Sequence, residues 1–415
     1  METSPSLEAA KALLQAFGII LAAGSLGGVI AKRLKVPDVA IFLLIGIALG
    51  PHALGMIDIS AGGALNQIIL IFGSCYILFD GGASLRFRVL REVWVTIAII
   101  ATVGVLITAS ITTLAAHWIL GLPLVVAALL GAATSSTDPA TLVPIFKQIP
   151  IKERISQTVM SESAFNDAIG AILTFTVLAL AMGHGSFSLS GSLLELLKQA
   201  SLGILIGSVV GYAAALLLGH ERYAFLGEFG PIVTLMAVAG AYLAADNYHA
   251  SGFMAVFVFG ILIGNKESLG LRMQPSEAEK MENFVAEMAL IMRLMIFVLL
   301  GSQVDFGLME RYWAQGLALV AILMFIGRPL TVFICTWPDR RARWTFKERL
   351  FMCWTRETGV IPAALAGLLV GMKAPGAEII ASVTFVAILA TILLQATTTP
   401  WLAAKLGMLV EDWQD

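Results

Sequence analysis

The chain has 415 residues, of which 58% are hydrophobic and only 13% charged, and its formal net charge is −2. An ordinary soluble domain carries about 25% charged residues, so the composition excludes a soluble enzyme or a nucleic-acid-binding protein and points to the lipid bilayer as solvent. Cys75, Cys335 and Cys353 stand singly in apolar segments and the five histidines fall at span ends or in loops, so disulfides, a metal centre and a cofactor are not expected.

From the N-terminus, METSPSLEAAK starts acidic and lacks a basic segment ahead of its apolar run, which predicts a first helix that is retained rather than cleaved as a signal peptide. Apolar runs of about 20 residues, each long enough to cross roughly 30 Å of hydrocarbon, recur from residue 12 to residue 404. The fold class read from them is an all-α polytopic membrane protein with thirteen spans. These are centred on residues 12–31, 36–50, 64–83, 92–116, 122–146, 155–182, 193–219, 229–245, 250–264, 284–304, 313–335, 347–371 and 378–403. The 39 glycines fit close helix packing in lipid.

Between these spans, KRLK (32–35), RFRVLR (86–91), KQIPIKER (147–154), NKESLGLR (265–272) and DRRARWTFKER (339–349) fall on one side. That side holds 19 Lys and Arg against 4 on the other, Lys11, Lys198, Arg311 and Lys373. The positive-inside rule makes the basic side cytoplasmic, with the N-terminus outside and the C-terminus in the cytoplasm. The first and last six spans echo each other weakly. FDGGASLRF (79–87) and LLGSQVDF (299–306) end the third and tenth spans, while STDPATLVP (136–144) and RETGVIPAAL (356–365) lie in the fifth and twelfth. With span 7 as a lone connector the two halves have opposite orientation, the footprint of an inverted-repeat transporter.

The fifth span carries Asp138 directly before Pro139. Proline removes a backbone donor and biases the preceding residue away from helical geometry, so the helix is expected to break there. A cation could then meet free carbonyls, the Thr137 hydroxyl and the Asp138 carboxylate. In the sixth span, Glu162 and Asn166 are four apart, as are Ser163 and Asp167, which puts all four on one stripe. Asp167 falls near the bilayer centre, where a charged side chain costs roughly 3 kcal/mol on insertion scales and marks a functional site. A hard monovalent cation wants oxygen ligands, and Asp138, Asp167, Ser163 and Thr137 supply them.

Three arginines lie inside spans and want partners. Arg328 in the eleventh span matches the depth of Glu162, which predicts a structural ion pair between them; snorkelling of Arg328 to the interface is the rival reading. Arg356, ahead of Gly359 and Pro362 in the twelfth span, would put a positive charge near the broken fifth span and balance Asp138, unless Glu357 beside it is its partner. Arg293 receives no role, and Asp58, Asp246 and Asp305, at span ends, are expected to be solvated.

STDPAT (136–141), ESAFND (162–167), an arginine in the eleventh span and RETGVIPAAL together resemble the NhaP-type sodium/proton antiporters of the cation/proton antiporter superfamily, relatives of the animal sodium/proton exchangers. The resemblance implies an inner-membrane homodimer of thirteen-helix protomers with crossing unwound helices 5 and 12. It implies scaffold helices in 1–88 and 220–305, an ion-binding core in 89–190 and 306–405, and a connecting helix at 191–219. Carried over, Asp167 is the carboxylate that exchanges proton and cation, with Asp138, Thr137, Ser163 and Glu162 around the Na+. Asn166 steadies the unwound strand through Thr137, and Glu162 bridges to Arg328. An Asn-Asp pair goes with electroneutral exchange in this family. The departure is RETG where many relatives read LRGA, which leaves the equivalence of Arg356 open. The function expected is exchange of Na+ or Li+ for H+ without a cofactor. A K+/H+ antiporter on the same fold is the first alternative and a gated cation channel the second; a membrane enzyme lacks any nucleophile and base pair.

Overall fold

The computed structural model describes residues 5–34, 36–60, 62–137, 146, 149–183, 189–219, 226–304 and 306–410, and among them the chain is helical throughout, with one isolated antiparallel bridge, Ile151 to Leu409. Among the described residues nine helices are long and apolar enough to cross a membrane: Ala10–Leu34, Ala64–Ser84, Leu90–Leu120, Glu153–Ala181, Leu194–Gly219, Gly227–Asn247, Pro275–Ser302, Phe306–Thr336 and Ala377–Leu406. Four shorter apolar helices accompany them, Asp38–Leu49, Leu124–Ala133, Gly252–Gly264 and Val360–Gly371. Leu124–Ala133 runs into the non-helical residues 134–137, and Val360–Gly371 follows the non-helical residues 355–359; these two stretches build the site described below.

Glycine sets how closely the helices approach. Asp38–Leu49 lies against Pro275–Ser302, where Gly46 meets the Val298 carbonyl and Gly301 meets that of Leu43. Gly252–Gly264 lies against Ala64–Ser84 in the same manner, Gly260 on the carbonyl of Phe79 and Gly82 on that of Phe257. A Cβ at any of these four would collide with backbone rather than with a yielding side chain. A Gly260→Val protein should therefore lose about 1–3 kcal/mol, the usual cost of overpacking, read as a lowered unfolding midpoint in detergent; an unchanged midpoint would mean that the two helices can separate freely. Asn265 closes the same junction, donating to the Leu85 carbonyl at 2.8 Å and accepting from the Phe87 N–H at 2.9 Å. The helix Leu189–Gly219, expected as a connector, packs along Gly252–Gly264 through Gly203, Gly207 and Gly211.

The structure departs from the hydropathy reading in three ways. Pro275–Ser302 begins nine residues before the apolar run at 284, because SEAEKMENF is amphipathic and continues the helix beyond its lipid-length core. Among the described residues three helices carry a turn of π-helix, Ile100–Gly104, Leu323–Gly327 and Ile392–Ala396. The second directly precedes Arg328–Pro329 and the third precedes Pro400, so in both a wide turn absorbs the backbone donor that proline lacks without ending the helix. The interruption in the twelfth segment lies at 355–359, between Phe346–Trp354 and Val360–Gly371. Arg356 is thus inside the break rather than ahead of it. Pro362 sits in the first turn of the next helix, where the N–H groups have no intrahelical acceptor and proline is tolerated.

At the basic end of the bundle, Asp339 accepts from the Thr96 hydroxyl at 2.6 Å and from the Ala342 N–H at 3.1 Å, and Trp344 donates to the same Thr96 hydroxyl at 2.8 Å. Arg154 stacks over Trp344, 4.1 Å from the ring centre. The loop after Arg328–Thr336 is thereby fastened to the helix Phe87–Ile99 and to the first turn of Glu153–Ala181.

Candidate ion-binding site

The helix Leu124–Ala133 stops at Thr134, four residues before Asp138; 134–137 are non-helical and fully buried, and Asp138 itself lies outside the described residues. Backbone released from a helix inside lipid must find partners elsewhere, and Glu153–Ala181 supplies them. The Thr137 N–H donates to Asn166 Oδ1 at 3.0 Å, and Asn166 Nδ2 returns a hydrogen bond to Thr137 Oγ1 at 2.9 Å. The Thr137 hydroxyl donates to Ser163 Oγ at 2.9 Å, and Ser163 in turn donates to the Thr137 carbonyl at 2.8 Å. One threonine is thus held at its amide, carbonyl and hydroxyl by two side chains three positions apart on the facing helix.

Asp167 follows Asn166 at the middle of this 29-residue helix and is 2% exposed. Ser163, one turn earlier, and Asn166 are equally buried. Ser136, beside Thr137, has a buried hydroxyl that lies against Gly170 and has no hydrogen-bond partner among the described residues. A turn and a half below Asp167, Glu162 faces Arg328. Arg328 Nη2 donates to Glu162 Oε2 at 2.8 Å, Nη1 to Oε1, and Nε to the Met352 carbonyl at 3.0 Å. Arg328 is 2% exposed and so does not snorkel. Both oxygens of Glu162 are engaged by the guanidinium fork.

Arg356 comes to this centre from the second interruption. Its Nη2 donates to the Thr134 carbonyl at 2.9 Å and reaches that of Ser135 at 3.5 Å, so a cation sits at the C-terminal end of Leu124–Ala133, where the helix dipole and the unused carbonyls favour one. The Thr358 N–H, freed by the same interruption, donates to Thr391 Oγ1 at 3.1 Å. The two broken segments therefore meet through one arginine, a contact that neither motif reveals by itself. Arg293 is half-buried on Pro275–Ser302, Asp58 and Asp246 are exposed, and Asp305 is outside the described residues.

Non-helical segments inside apolar helices and a buried carboxylate at the middle of a membrane-length helix are features of ion-translocating membrane proteins. The comparisons agree. Residues 18–405 match the family described as the sodium/hydrogen exchanger, transmembrane, and the chain belongs to it. It is 30% identical over 419 residues to Na(+)/H(+) antiporter 1 of Methanocaldococcus jannaschii, covering 94% of each chain. It is 29% identical over 396 residues to the K(+)/H(+) antiporter NhaP of Alkalimonas amylolytica, covering 94% of this chain and 66% of that one. Among solved structures, the sodium proton antiporter MjNhaP1 from M. jannaschii at pH 8 superimposes with a TM-score of 0.77 and 29% identity, over 92% of this chain and 99% of that one.

Proposed function

We propose that this multi-pass membrane protein is a secondary antiporter that exchanges Na+, or Li+, for H+, with cation and proton using Asp167 in turn. The observation that carries the reading is the pairing of a mid-helix, fully buried Asp167 with a Thr137 that Asn166 and Ser163 hold at the interruption of the neighbouring segment. A carboxylate that binds a proton cannot at the same time bind a cation through the same oxygens, so the two ligands displace each other. Thr137, Ser163 and Asp138 complete the cation's oxygen shell. Glu162, with both oxygens on Arg328, supports the helix rather than the ion, and Arg356 holds the end of the broken fifth span.

The nine long and four short helices fit thirteen spans in two inverted six-helix repeats, with unwound helices 5 and 12 crossing at Thr134 and Arg356. On this reading 89–190 and 306–405 form a core that moves against a scaffold of 1–88 and 220–305, joined by 191–219, in a homodimer of the inner membrane with a cytoplasmic C-terminus. Coupling requires only that the empty, charged site be too costly to carry through low dielectric. A second reading, K+ as the cation, is favoured by the K(+)/H(+) antiporters among the relatives. Everted vesicles given Na+, Li+ or K+ against a preformed pH gradient decide: a response to Na+ or Li+ supports the first reading, a response to K+ alone the second. No response to any of the three, or an ion current without proton movement, would sink both.

A further inference from the structure

At the basic end of the bundle, the helix Phe87–Ile99 and the turn Lys266–Leu269 enclose a cleft of about 600 Å3 that ion exchange does not use. Its wall is made of Phe87, Arg88, Leu90, Arg91, Trp94 and Ser268. Arg88 and Arg91 are three apart and therefore neighbours on the helix surface. Both are exposed, and neither has an ion-pair or hydrogen-bond partner among the described residues. Trp94 lies one further turn into the span and is 58% exposed, which places an amphipathic ring about 4.5 Å deeper than Arg91 along the helix. The residue order along the cleft is thus cation, cation, indole, from the polar end inward. Glu92, next in sequence to Arg91, is absent from the wall. The adjoining cleft of about 520 Å3 shares Phe87, Arg88 and Ser268 with it and is of mixed charge, with Arg86 and Lys266 beside Glu153, Glu267 and Glu282.

We infer that this cleft is a binding site for an anionic phospholipid, its phosphate between Arg88 and Arg91 and the start of its acyl chains against Leu90 and Trp94. A free phosphate would use only the two arginines. The occupant is assigned as lipid because the wall continues inward as Leu90 and the exposed Trp94, at the level where an acyl chain leaves its headgroup. Basic pockets between membrane helices bind such headgroups, and each arginine near an anionic surface contributes about 1 kcal/mol.

The test measures binding, so a failed transport assignment leaves it intact. The full-length protein is delipidated in neutral detergent and titrated with phosphatidylglycerol, phosphatidylcholine or inorganic phosphate while its unfolding midpoint is followed. Phosphatidylglycerol alone should raise the midpoint, and Arg88→Gln/Arg91→Gln should raise the half-saturating lipid concentration about thirtyfold, the equivalent of two such contributions. Should that double variant not purify, Ser268→Trp, which fills the cleft and keeps both arginines, is expected to abolish the same response. Arg340→Gln/Arg341→Gln, on the neighbouring basic loop, should leave it intact. Equal shifts with phosphatidylcholine, a full shift with inorganic phosphate, or an undiminished response in the cleft variants would each overturn the assignment.

Discussion

The Asp167→Asn protein should insert, fold and unfold cooperatively in detergent, yet move no protons in response to any alkali cation in everted vesicles. Substitution by an isosteric amide keeps the size of a side chain that is 2% exposed, and volume-conserving swaps are the ones a packed interior tolerates best. What it removes is the only function the proposed mechanism asks of that side chain, to hold either H+ or a cation. The combination matters more than the loss of exchange, since many substitutions abolish transport by unfolding the protein. Asn166→Ala is the control. It leaves Asp167 in place, removes the acceptor of the Thr137 N–H and one of the two hydrogen bonds at the Thr137 hydroxyl, whose bond to Ser163 remains, so exchange should persist with a half-saturating Na+ raised about tenfold, for a contribution of about 1.4 kcal/mol. Full exchange by Asp167→Asn would remove that carboxylate from the mechanism.

The site's ingredients were legible in the sequence because each violates the rule of its surroundings. Ser163, Asn166 and Asp167 at spacings of three and four in an apolar helix have one face to occupy, and the structure brings the first two onto Thr137 as that spacing requires. A proline marks a missing donor but does not say where the helix yields. Before Asp138–Pro139 the backbone leaves its helix at Thr134, while Pro329 and Pro400 are absorbed by π-turns in helices that continue. Pro362 is accommodated in a first turn, and the break falls upstream at 355–359. The contact from Arg356 to the Thr134 carbonyl joins residues 222 positions apart. No local pattern encodes it, because its acceptor is a backbone carbonyl, which every residue possesses. The N-terminal extension of Pro275–Ser302 is not legible in hydropathy for a different reason, that hydropathy measures the lipid-facing length of a helix and not its hydrogen-bonded length.

Glu162→Gln and Arg328→Met, made singly, should each cost about 3–5 kcal/mol of stability, because each leaves an uncompensated charge or a starved fork where both partners are 2% exposed or less. The Arg328 variant should be the worse of the two. The parent arginine also donates from Nε to the Met352 carbonyl at 3.0 Å, at the end of the half-helix that precedes the 355–359 interruption, and methionine returns nothing to that acceptor. Combining the substitutions replaces a buried ion pair by a neutral amide beside a flexible apolar chain, so the double variant should lie closer to the parent than the sum of the singles, with a coupling of about 1–3 kcal/mol. Denaturant unfolding in detergent gives the four corners of this cycle. Additive losses would mean that the two side chains act independently. If the coupling is found, vesicle exchange by the double variant separates scaffold from chemistry: with Asp167, Asn166 and Thr137 unchanged, transport should return along with stability, since on the proposed mechanism the pair only joins Glu153–Ala181 to the segment Arg328–Thr336. A stable double variant that stayed inactive would make the ion pair part of the cation path.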